Sequence, residues 1–177
     1  MNQAEKTRLI DNTTHSNSYV VQAALTALGT LAQTDPDVRA AALRNTTHSS
    51  WHVVQAALTA LGTLAQTDPD VRAAALKVLP EVRADYYEIL SKSPHEIPAL
   101  CSALREGRVD GTTYHGDCGC LLTTLALARG LRYDQLPGIT PNSSRPSERF
   151  FMKIEKGDTP STNGFAMLAV LWAEAFE

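Results

Sequence analysis

Residues 12–44 and 45–77 are two copies of one 33-residue segment, and they differ at four positions: Asn17/Ser50, Ser18/Trp51, Tyr19/His52 and Arg44/Lys77. A tandem repeat of this length is usually one supersecondary unit whose apolar face is completed by its neighbour, so the copies are expected to fold alike and lie side by side. In copy one, Val21, Ala24, Leu25, Leu28, Leu31 and Ala32 recur at helical spacing, with Gln22, Thr26 and Thr30 on other faces; Val54 to Ala65 repeat the pattern in copy two. The spacing predicts a first helix running to about Gln33-Thr34. Asp35 then caps a second helix, Pro36 opens it, and Val38, Ala41, Ala42 and Leu43 carry it. Asn45-Thr46-Thr47 ends that helix, because short polar side chains compete for backbone hydrogen bonds. Gly29 and Gly62 fall inside the first helices at about 1 kcal/mol each relative to Ala, a cost that close approach of a neighbouring helix would explain.

The phrase DPDVRAAAL, after an Ala- and Leu-rich helix containing a Gly, resembles the second-helix signature of HEAT-like repeats over residues 16–44 and 49–79. The resemblance implies stacked α-hairpins that offer a face to protein partners. A HEAT protein usually carries more units than two, and more divergent ones. Near-identity also brings a hazard. The segment beginning Val78-Leu79-Pro80 meets two almost equal surfaces, and exchange of identical elements between protomers is a low-cost route to a homo-oligomer.

Across 177 residues, 44% hydrophobic and 20% charged content suit a globular protein, and helical periods recur throughout, so the fold class expected is all-α. The divisions expected are a polar lead-in at 1–11, tandem α-hairpins with their extension at 12–93, and a compact helical domain at 94–177. Helical period continues from Val71 through Pro80 to Ile89, with a kink or tight break at Leu79. Ser93-Pro94-His95-Glu96 reads as a capping box, with Pro98 pushing the helix start two or three residues on. Gly107 to Gly119 is a loop or short hairpin, and helices follow at about Cys118–Arg129 and Pro146–Glu155. Phe165, Leu168, Trp172 and Phe176 share one face of a last helix and belong to the core.

Net charge of −3 and scattered Lys and Arg argue against nucleic acid or an anionic membrane as partner, and no apolar run is long enough to span a bilayer. The N-terminus lacks the apolar core of a signal peptide, and three Cys suit a reducing compartment, so a cytoplasmic location is expected.

Reactive chemistry concentrates in His115-Gly-Asp117-Cys118-Gly119-Cys120. Asp-Cys-x-x-Leu entering an Ala/Leu helix resembles the nucleophile segment of NlpC/P60-type papain-like peptidases, which implies Cys118 as nucleophile with a base His downstream. Here the His residues are at 15, 48, 52, 95 and 115, and none follows Cys118, so His115 or His95 would serve only in a permuted arrangement. The second chemical reading is a zinc site of Cys101, His115, Cys118 and Cys120. Helical geometry would point Cys118 and Cys120 about 200° apart, so both could bind only from a loop. The plainer reading is three inert thiols. The block from Tyr114 through Pro160 is similar to small bacterial and phage proteins, a likeness that carries no activity.

Elsewhere, Arg39 and Arg72 are expected to pair with Asp37 and Asp70; Arg145 and Arg149, near Ser143, Ser144 and Ser147, could hold a phosphate at a helix start, with a solvated capping segment as the plainer reading. The favoured reading is a non-enzymatic, cofactor-free interaction protein using the repeat face. Tyr19, Trp51 and His52, at the positions where the copies differ, are the candidate contact residues.

Overall fold

The computed structural model describes residues 1–114 and 119–176. Regular structure among them is helical: eleven α-helices and three short 3-10 turns, with no strand beyond an isolated bridge between Val109 and Gly119. The chain is all-α. It divides into two compact units, one of residues 1–78 with 161–168, the other of 79–160 with the chain from 169 onward.

The first unit contains α1 (Gln3–Asn12), α2 (Ser18–Leu28), α3 (Pro36–Asn45), α4 (Trp51–Leu61), the single turn α5 (Leu64–Thr67) and α6 (Pro69–Ala75). α3 and α6 each open on Pro after an Asp cap. Asp35 Oδ1 accepts the N–H groups of Asp37 and Val38 at 3.0 and 3.2 Å, and Asp68 Oδ1 accepts those of Asp70 and Val71 at the same distances.

The first helices are shorter than the spacing predicts. They end at Leu28 and Leu61, and the following glycines take φ 45°, ψ −134° and φ 49°, ψ −132°, which only glycine adopts readily. A Cβ on Gly29 would meet nothing within 4 Å. Gly29 is therefore required by its backbone angles and not by close packing, and the chain reaches Asp35 through a 3-10 turn, Gly29–Gln33.

Arg39 also departs from expectation. It reaches forward past Asp37: Nη1 lies 3.4 Å from Asp68 Oδ2, while Nε and Nη2 donate to the carbonyls of Ala32 and Gln33 at 3.1 and 3.0 Å. Lys6 Nζ makes the matching contact with Asp35 at 2.7 Å. Lys6 and Arg39 are 33 positions apart, as are the bounds of α1 and α3, so α1 has the phase of a second helix. Glu5 and Arg8, both exposed, stand where α3 has buried Val38 and Ala41. α1 thus caps the array with a wet outer face. Asn45 joins the layers from inside, its Nδ2 donating to Thr13 O at 3.2 Å and Ala41 O at 2.9 Å.

In the second unit, Leu79 is the only non-glycine with positive φ (47°) among the described residues, and Pro80 follows it to open α7 (Pro80–Ser91). The period read across Pro80 is two helices and a break. α8 (Ile97–Arg105), α9 (Leu121–Ala128) and α10 (Pro146–Phe151) come next. α11 (Gly164–Phe176) gives its first turn to the first unit and the rest to the second. Tyr86, Phe150, Phe151 and Trp172 form the core, with centroids 5.2 Å apart for Phe150–Trp172 and 5.6 Å for Tyr86–Phe151.

Two helix boundaries and one cap differ from the sequence expectation. α9 begins at Leu121, three residues later than expected, because Cys120 is still extended at ψ −177°. α10 stops at Phe151. The capping box at Ser93 does not form: Glu96 turns to Arg129 at 2.8 Å, and the buried Ser93 hydroxyl finds no partner among the described residues.

The helix start around Arg145 and Ser147 is filled from within and left to neither phosphate nor solvent. Asp85 of α7 takes Arg145 Nε and Nη2 on Oδ1 at 2.9 and 2.7 Å, and the Ser147 N–H on Oδ2 at 2.9 Å, together with the Ser147 hydroxyl. Burial alone would raise the Asp85 pKa, but Arg145 and Ser147 outweigh it and hold the carboxyl below its usual value.

Two stability predictions follow from these contacts. Gly29→Ala should cost at least about 1 kcal/mol in denaturant melts, although the new methyl has room. Asp85→Asn should cost about 1–2 kcal/mol at pH 7. Because the folded Asp85 pKa is depressed, its contribution is present above the unfolded value of about 3.9 and is lost as pH falls through the folded one. The gap in Tm between wild type and Asp85→Asn should therefore close as pH is lowered from 7 towards 3, a trend that calorimetry reads directly.

Candidate functional site

α2 and α4 lie side by side in the first unit, and a groove of about 220 Å³ runs between them. Gln22 and Thr26 line it from α2, Gly29 from the turn that follows, and His52, Gln55 and Thr59 from α4. The apolar stripe of each helix turns inward, so each copy leaves Gln and Thr at the same outward phase. The duplication then sets the pairs Gln22/Gln55 and Thr26/Thr59 on adjacent helices. No lining residue carries a formal charge with His neutral. Thr59 Oγ1 already accepts the N–H of Gly164 at 3.0 Å, whereas Gln22 and Gln55 offer amide donors and acceptors along the groove.

The structure separates the three candidate contact residues. His52 is exposed and lines the groove. Tyr19 sits at the same position of α2 and is 76% exposed. Trp51 is half-buried against Phe165, its ring edge-on with centroids 5.8 Å apart and planes at 68°. This accounts for the Ser18/Trp51 difference between copies: in copy two that position faces the segment 161–168 and packs on an aromatic. Gln22 and Gln55 were not singled out from the sequence. The available signal was their recurrence, at one phase of the period, on the polar face of helices otherwise rich in Ala and Leu.

Of the reactive quartet, His115 and Cys118 lie outside the described residues. Cys101 is buried on α8 beside Tyr86, and Cys120 is buried at the entry to α9. Burial pushes the Cys120 thiol up, against weaker opposing hydrogen bonds from Thr123 and Leu122, so it stays protonated at neutral pH and is a poor nucleophile. Its Sγ lies 3.7 Å from Thr123 Oγ1, which also donates to Tyr114 O at 3.0 Å. The Tyr114 hydroxyl donates to buried Glu148, whose other oxygen accepts the Asn142 N–H at 2.9 Å. Desolvation, and then Glu148, hold the Tyr114 phenol well above its usual pKa. Glu148 thereby pins two loops to α10. Among the described residues, no three His, Cys, Asp or Glu gather closely enough to hold a metal ion. His15 and His48 serve their loops, each Nδ1 accepting the N–H two residues on, at 3.0 and 2.9 Å.

Among the described residues no helix is long and apolar enough to cross a membrane. No family model, curated protein or solved structure matches the chain.

The burial contrast predicts how the aromatic positions respond to truncation. Trp51→Ala should destabilise the protein by about 1–3 kcal/mol through loss of the Phe165 contact. Tyr19→Ala should stay within about 0.5 kcal/mol of wild type. Paired chemical melts measure both.

Proposed function

We propose that the protein is a non-enzymatic docking module of HEAT-like build, taking an extended segment of a protein partner across α2 and α4. The observation that carries this reading is the repeated pair Gln22/Gln55 on the outward faces of adjacent helices, in a groove without formal charge. Packed helices lie about 10 Å apart, and an extended chain advances about 3.3 Å per residue. Every third peptide group of a strand crossing the groove would therefore meet one glutamine amide. Amide side chains can donate to a carbonyl and accept from an N–H, which reads backbone without demanding a particular side chain. Binding of this kind needs neither metal nor cofactor. An uncharged lining disfavours nucleic acid, whose affinity comes largely from cations on phosphate. We place the module in the cytoplasm, where its three cysteines would stay reduced.

The test is quantitative capture with the full-length chain, comparing wild type with the double variant Gln22→Ala/Gln55→Ala. Two lost hydrogen bonds at about 1 kcal/mol each predict a fall in enrichment of the specific partner by about tenfold or more, with helical content unchanged. Equal enrichment by both proteins would remove the groove as the docking site.

A further inference from the structure

α2 and α4 share one sequence, apart from their first two residues, but not one environment. On the flank of α4 that faces α2, Val53 is fully buried and Ala60 is 2% exposed. The same flank of α2 has half-buried Val20, exposed Ala23 and exposed Ala27, with Tyr19 at its head. The opposite flank of α4 is covered by the segment 161–168. A Cβ on Gly164 would fall 2.5 Å from Leu58 Cβ, 2.7 Å from Thr59 N and 2.9 Å from Gln55 O, and Phe165 packs on Trp51. The segment 161–168 therefore occupies the place where the first helix of a third unit would stack.

The occupant that fits the uncovered flank of α2 follows from the duplication. α2 already packs beside α4, with Leu25 and Gly29 lining their junction, and α4 carries the same residues as Leu58 and Gly62. A surface that mates with one copy of Val-x-x-Ala-x-x-x-Ala mates with the other. We propose that the open flank of α2 receives the Leu58/Gly62 flank of α4 from a second copy of this chain, and that 161–168 restrains this association by covering the same flank. The junction repeats the internal α2–α4 packing between molecules. By that register Trp51 of one molecule would meet Tyr19 of the next. The contact is head-to-tail, so it leaves one open flank at each end and does not close at two copies. This inference is independent of the groove reading above.

The tethered segment competes at an effective concentration on the order of millimolar, so association should emerge only toward that range. Sedimentation equilibrium on the full-length chain up to about 1 mM should show a mass rising with concentration. Ala27→Arg, on an exposed position, should weaken the association about tenfold or more, and Gly164→Val, which lifts the segment from α4, should strengthen it about tenfold. Identical mass curves for wild type and Ala27→Arg would overturn the proposal. So would a folded Gly164→Val protein that remains monomeric, or one whose mass stops at two copies, as exchange of the segment would give. Should Gly164→Val lose helix content, the comparison of wild type with Ala27→Arg decides alone.

Discussion

One carboxylate per unit sets the geometry of the repeat half. Asp35 and Asp68 each accept two backbone N–H groups at the head of a helix and one cation from the second helix a period upstream. Caps and solvent-screened ion pairs of this kind are individually modest in energy. Their importance is positional. The hydrogen bond from Lys6, with those from Val38 and Asp37, holds the Asp35 carboxyl below its ordinary pKa against desolvation. Successive second helices are thereby held at a common phase, and α2 is laid beside α4 in register. The groove pairing Gln22 with Gln55 is a consequence of that register.

The repeat half also separates what a residue is from where it sits. Ala27 and Ala60 are one residue in two copies, one exposed and one buried, because α4 has a neighbour on both flanks and α2 on one. The four differences between copies gain meaning in this light. Trp51 has Phe165 to pack on, and the equivalent Ser18 does not. At the other end of the array, Glu5 and Arg8 replace apolar positions of the period, which suits a face with no helix to cover it. Duplication provides repeated surfaces, and the few departures from it adapt those surfaces to unequal neighbours.

The second unit is organised differently, around aromatic packing and charged contacts that reach across long stretches of chain. Asp85 caps the start of α10 from 60 residues away, and Arg129 ties the end of α9 to Glu96. These contacts absorb residues that look chemically available in one dimension. Arg145 is satisfied by Asp85 and Glu88, and Cys120 is sealed beneath Thr123 with its proton retained.

Much of the helical content was legible because it rests on local signals: apolar residues at helical spacing, Asp-Pro starts and glycine stops. The misreadings share a cause. A glycine in the Ala/Leu period suggests close packing at Gly29, whereas its backbone angles, which a one-letter code does not show, make it a turn. Ser93 and Glu96 form a capping box by spacing, yet Glu96 turns instead to Arg129, whose proximity depends on the folding of 32 intervening residues. The amphipathic period of each copy was determined by the sequence itself, since periodicity is a property of neighbours along the chain. Which flank of each copy is covered, which aromatic is exposed, and which glutamines line one groove were decided only by the tertiary structure. Such contacts join residues that no local rule relates, and two nearly identical stretches cannot by themselves say which of them lies at the edge.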